Sequence, residues 1–88
     1  MADIRVKKKE NDSYEVTVEA GRTTTHTVTL TDEYHEKLTA GKISKEALIE
    51  KSFQFLLVRE SNSSILSSFE LPLIGHYFPE YEREISAS

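Results

Sequence analysis

Tyr14 to Leu30 reads YEVTVEAGRTTTHTVTL, and this stretch decides the fold. Tyr14, Val16, Val18 and Ala20 alternate with Glu15, Thr17 and Glu19. After Ala20-Gly21-Arg22, the series His26, Val28, Leu30 alternates with Thr25, Thr27, Thr29. A period of two sends successive side chains to opposite faces, the signature of a half-buried strand. Gly21 takes positive φ without steric cost, so the link reads as a tight turn. Upstream, Ile4 and Val6 alternate with Arg5, Lys7 and Lys9, and Glu10-Asn11-Asp12-Ser13 supplies another turn. Short links force antiparallel neighbours. The pattern predicts a three-stranded antiparallel β-meander over about residues 3–9, 14–20 and 23–30, with one apolar face in need of a cover.

The cover follows directly. Thr31 is placed to cap a helix over about 32–39, with Asp32 and Glu33 in its first turn where the helix dipole favours acids, and Gly41 ends it. Ser44 caps a second helix over about 45–60. At 100° per residue, Leu48, Ile49, Ser52, Phe53, Phe55, Leu56 and Leu57 fan over about 200° of that helix. A helix lying on one sheet needs a stripe of only ~100°. The surplus implies a second partner, either the C-terminal segment or another copy of the chain. Downstream, Ile65, Leu66 and Phe69 read as one side of a helix over about 63–69. Pro72 opens a further helical turn over about 72–77. Glu80, Glu82 and Glu84 read as a solvated acidic tail, and Ser86-Ala87-Ser88 as frayed.

Eighty-eight residues hold one domain, spanning 1–88. The fold class expected is α+β: a three-stranded antiparallel meander, two helices packed on one face and a short helical C-terminal segment. The core expected comprises Val6, Val16, Val18, Val28, Leu30, Leu38, Leu48, Ile49, Phe53, Leu56 and Leu66. Eleven basic against fifteen acidic residues leave a net charge of −4, which suits solubility and disfavours general nucleic-acid binding. The absence of cysteine rules out a disulfide framework and a thiolate metal site. Met1 to Glu10 has no apolar centre, and no apolar run approaches the ~20 residues of a membrane span. A cytoplasmic protein without membrane contact is the expectation.

Few residues point to chemistry. His26, His35 and His76 stand at no metal-binding spacing, so no metal or cofactor is expected. The serines at 61, 63, 64, 67 and 68 lie in no nucleophile elbow, and Gly21, Gly41 and Gly75 form no phosphate-cradling loop. Arg5, Lys7 and Lys9 share the outer strand face with Glu15 and Glu19 and read as a charge-paired surface. Thr25, Thr27 and Thr29 line the outer face of the third strand. In a sheet ordered 1-2-3 that strand is an edge without lysine or proline, open to pairing with its own copy in a six-stranded homodimer.

His26–Leu30, Thr31–Thr39, Ala40-Gly41-Lys42-Ile43 and Ser44–Arg59, with Gly41, Ser44, Glu46, Leu48 and Ile49 in place, resemble a ribbon-helix-helix unit over residues 24–60. The resemblance implies a DNA-binding transcriptional regulator or antitoxin that dimerises through its strand. By the same resemblance, Thr25, Thr27 and Thr29 face the major groove, and Ser44 and Lys45 meet phosphate at a helix N-terminus. The strand has no Arg, Lys, Asn or Gln after Arg22, so DNA is not the favoured partner. Over its whole length, with Tyr77-Phe78-Pro79-Glu80-Tyr81, the chain also resembles a family of small bacterial proteins of unknown function, which implies no activity. The reading that best fits the sequence is a small non-enzymatic protein-interaction module, self-associating or bound to an unknown protein partner.

Overall fold

A computed structural model of the protein describes residues 3–87. Strands β1 (Asp3–Lys8), β2 (Ser13–Glu19) and β3 (Thr23–Thr29) form the antiparallel meander. Val6, Val16 and His26 stand in one inward row of the register, and Tyr14 and Val28 in the next. The turns close as their residues require. Asn11 has φ of 53° and Gly21 of 88°, and Ala20 N–H donates to Arg22 C=O at 3.0 Å.

Helix α1 (Asp32–Thr39) starts where Thr31 Oγ1 accepts from Tyr34 N–H at 3.2 Å. It ends where Ala40 and Gly41 turn left-handed. Helix α2 (Lys45–Arg59) starts where Ser44 Oγ accepts from Ala47 N–H at 3.1 Å. Leu48, Ile49, Ser52, Phe53, Phe55 and Leu56 are all buried. Phe53 lies over the sheet, its ring 5.4 Å from His26 and 6.1 Å from Phe69.

The C-terminal segment departs from the expected helices. Residues 63–69 do not form a helix. A single 3-10 turn at Asn62–Ser64 is followed by strand β4 (Ser68–Glu70), which joins the sheet parallel to β3. The sheet therefore has four strands in the order β1-β2-β3-β4. The cause is the open ladder of β3, whose polar groups need partners once the sheet is covered. Thr27 N–H donates to Ser67 C=O at 2.8 Å, and Leu71 N–H donates to Thr29 C=O at 2.9 Å. Buried Asn62 fixes the approach, its Nδ2 donating to Arg22 C=O at 2.9 Å and Val18 C=O at 3.4 Å. Leu66, expected in the core, is 49% exposed, while its neighbour Ile65 is buried. Val6 is only half-buried, packed against the core from β1.

Helix α3 (Leu73–Tyr77) follows Pro72 as expected, but the stretch read as a solvated acidic tail, together with Ser86 and Ala87 read as frayed, is helix α4 (Tyr81–Ala87). Ser88 lies outside the described residues. Tyr81 is fully buried and Ile85 nearly so. Ser52 Oγ donates to Leu48 C=O and accepts from the Tyr81 hydroxyl at 2.6 Å. Phe55 meets Tyr81 and Phe78 edge-on at 5.2 and 5.9 Å. The second flank of α2 is thus covered by the chain's own C-terminus. The acids of the tail are bound too. Arg59 stacks its guanidinium 3.6 Å over Phe55 and faces Glu80 and Glu84, each at 3.4 Å. Glu82 accepts from the Tyr34 hydroxyl at 2.8 Å and lies 3.5 Å from Lys37.

Ile65, Leu71, Ile74, Tyr81 and Ile85 are buried downstream of α2. Burying one such side chain contributes about 1.5–3 kcal/mol, against roughly 5–15 kcal/mol for a whole domain. A chain ending at Glu60 is expected to lose its cooperative thermal transition, as followed by circular dichroism. Burial raises the pKa of both Tyr34 and Tyr81, and in Tyr34 the hydrogen bond to Glu82 adds to it. A folded pKa above the unfolded value of about 10 means the folded state holds more protons above that pH, so stability falls as pH rises. Denaturant melts from about pH 8 to 11 should show that loss, and the double variant Tyr34→Phe, Tyr81→Phe should show a shallower slope.

Candidate functional site

Of the residues expected to meet DNA, Ser44 and Lys45 make contacts within the fold. Ser44 Oγ is used as the cap of α2. Lys45 Nζ is bonded to the Asp32 carboxylate at the start of α1 and lies 3.6 Å from Asp12 Oδ1 in the β1–β2 turn. Its side chain is only 15% exposed. Lys45 therefore ties three local segments together. Thr25, Thr27 and Thr29 do face away from the helices, with Thr25 opposite Thr17. The edge on which they were expected to pair with a second copy is taken along Thr27–Thr29 by β4. A six-stranded dimer through β3 therefore has no free ladder there, and a ribbon-helix-helix dimer would need the same ladder. On the same outer face, Arg5 meets Asp3 at 3.4 Å and Glu19 at 3.8 Å, and Lys9 meets Glu15 at 3.9 Å. These are exposed pairs, worth about 0–1 kcal/mol each.

Two histidines serve as internal struts. A carbonyl only accepts, so His26 donates from Nδ1 to Leu66 C=O at 2.8 Å, and in the neutral ring Nε2 accepts from Thr24 Oγ1 at 2.8 Å. His35 Nε2 donates to Ile43 C=O at 2.6 Å and holds the α1–α2 turn. Among the described residues, no group of three or more His, Asp or Glu side chains is placed to share a metal ion. No helix there is long and apolar enough to cross a membrane.

The most distinctive surface lies where the sequence was hardest to read. An apolar groove of about 340 Å³ opens between the C-terminal end of α2, β4 and α3. Leu56, Ile65 and Ile74 are its buried floor, and Phe69 reaches it from the inward side of β4. Leu66 and Tyr77 border it and are 49% and 63% exposed. Glu60, the C-cap of α2, is the one charged side chain lining it among the described residues.

The groove adjoins a free strand edge. Ser67 C=O and Leu71 N–H bond to β3, and main-chain groups alternate in direction along a strand. The N–H and C=O groups of Ser68 and Glu70 therefore point away from β3. Among the described residues they have no hydrogen-bond partner. The site is not legible in the sequence, where Leu66 and Phe69 fit together on one helix face. The alternation Ser68, Phe69, Glu70 was the available signal, three residues long.

No family model matches the chain, and no curated protein or solved structure matches it significantly.

The Lys45 pair makes a testable demand on pH. The hydrogen bond and the charge of Lys45 hold the Asp32 carboxyl below its ordinary value, and the same hydrogen bond raises Lys45. A depressed carboxyl pKa contributes stability that is present above its unfolded value of about 3.9 and is lost as pH falls through the folded one. Lys45→Met should therefore be less stable than the parent near neutral pH. Urea melts at decreasing pH should show the gap narrowing below about pH 4.

Proposed function

We propose that the protein is a small, non-enzymatic, cytoplasmic interaction module that holds part of a partner protein in the groove between α2, β4 and α3. One observation carries this reading: Leu66 and Tyr77 stand exposed beside a roomy apolar hollow in a molecule that is otherwise internally satisfied. Among the described residues, every buried side-chain polar atom has a hydrogen-bond partner. The interior is therefore closed, and of the three large apolar side chains exposed among the described residues, Leu66 and Tyr77 border this one hollow while Val58 stands apart on α2. The aromatic ring of Tyr77 suits such a role, since aromatic side chains are enriched in binding hot spots. The absence of cysteine supports a reducing compartment. The DNA-binding alternative has less support, because Lys45 is held by two carboxylates and β4 occupies the strand edge that a ribbon-helix-helix dimer uses.

The reading is tested by placing a photo-crosslinking amino acid at position 66 and, as a control, at position 33 on the exposed face of α1. Position 66 is expected to give a covalent adduct with a defined protein that position 33 does not. Leu66→Glu and Tyr77→Glu should cost less than about 1 kcal/mol of stability, because the two side chains are about half and two-thirds exposed. Each should weaken binding of that purified protein by about tenfold or more, measured by calorimetry. Equal crosslinking at both positions would overturn the assignment.

A further inference from the structure

The partner's chemistry follows from the free edge of β4, and this inference rests on the groove being a protein-binding site. The geometry points to an extended segment of the partner that adds to the sheet as a fifth strand along β4. We infer that it carries an apolar side chain toward the groove and a lysine or arginine opposite Glu70.

Three features of the surface specify this. First, the main-chain groups of Ser68 and Glu70 are unpaired and lie in the plane of the sheet, which is how a strand edge accepts another strand. Second, side chains alternate across the sheet, so neighbours of an added strand fall into two classes. Those beside Phe69 enter the groove lined by Leu66, Leu73 and Tyr77 and must be apolar. Those beside Ser68 and Glu70 stand on the opposite, polar face. Third, the charge there is of one sign. Glu60 lines the groove and Glu70 stands on the polar face of β4, and among the described residues neither carboxylate is in a salt bridge, unlike those held by Arg5, Lys9, Lys37, Lys45 and Arg59. Among the described residues, no lysine or arginine lines the groove. Opposite charges across a strand pair are favourable and like charges are not.

The same charges disfavour a second copy. Joining two β4 edges brings the Glu70 carboxylate of one chain toward that of the other on the polar face of the sheet. The opposite edge of the sheet, β1, carries Arg5, Lys7 and Lys8 along its length, a distribution that discourages strand addition there.

The test uses the full chain and a blocked peptide of about nine residues alternating valine and lysine. Its comparators are a scrambled peptide of the same composition, a valine–glutamate version, and a version N-methylated at alternate residues. Amide nuclear magnetic resonance is expected to show Ser68 and Glu70 shifting on addition of the valine–lysine peptide and exchanging with solvent about tenfold more slowly or less. The scrambled, glutamate and N-methylated peptides should bind at least about threefold more weakly. Glu70→Gln should weaken the valine–lysine peptide by about threefold and leave the protein's own melting unchanged. Shifts confined to Leu66, Leu73 and Tyr77, with Ser68 and Glu70 unprotected, would overturn strand addition while leaving the groove a docking site. Protection of those amides that grows with protein concentration alone would assign the edge to a second copy and overturn the inference. No response at either the groove or the edge would overturn it as well, and the crosslinking result at position 66 then decides the fate of the broader reading.

Discussion

Phe53 sits where three distant parts of the chain meet. Its ring packs on His26 of β3 and Phe69 of β4, and it is carried by α2. The sheet has an apolar face only because Val16, Val18 and Val28 point the same way, and α2 supplies the roof. His26 can lie beneath Phe53 because both its ring nitrogens are bonded, one of them to Leu66 C=O. That bond brings residue 66 to the sheet edge, and β4 begins two residues later. The contact at Phe53 thus does more than cover apolar surface. It brings the chain to the place where β4 can pair.

The excess apolar width of α2 is the second constraint. One flank lies on the sheet, and the other needs Phe78 and Tyr81. Tyr81 brings α4 with it, and α4 brings the carboxylates that Arg59, Lys37 and Tyr34 bind. Most of the positive charge near the core is consumed in this way. Lys45 is used between α1 and the β1–β2 turn, and Arg59 between α2 and α4. Such pairs are worth little singly at a surface, but they set which segments lie side by side. Among the described residues, Glu60 in the groove and Glu70 on the polar face of β4 are left outside these ion pairs.

Strand edges invite pairing, and the two edges of this sheet differ. β1 is dressed with lysine and arginine. β4 is three residues long and is bordered by an apolar hollow. A short edge is a poor template for indiscriminate pairing, since few main-chain groups are on offer. An adjacent pocket adds the selectivity that the main chain lacks. The combination is what a selective binding surface for a single extended segment requires.

The sequence by itself determined the first two-thirds of the protein. The alternation in 4–30 set the meander, the positive-φ residues Asn11 and Gly21 set its turns, and Thr31 and Ser44 set the helix starts. These are local signals, carried by residues within one turn or one strand of each other, and folding only had to leave them undisturbed. The width of the apolar stripe on α2 announced a second partner without naming it. Only the tertiary structure decided residues 61–87. Ile65, Leu66 and Phe69 fit a helix face as well as a strand. What makes 68–70 a strand is the unpaired ladder of β3, some forty positions upstream in the chain. Tyr81 and Ile85, four apart, did carry a helical signal, but the flanking glutamates hid it because their partners Arg59, Lys37 and Tyr34 lie on other helices. The groove is likewise a product of how those pieces meet, since no residue in it is distinctive until α2, β4 and α3 stand together.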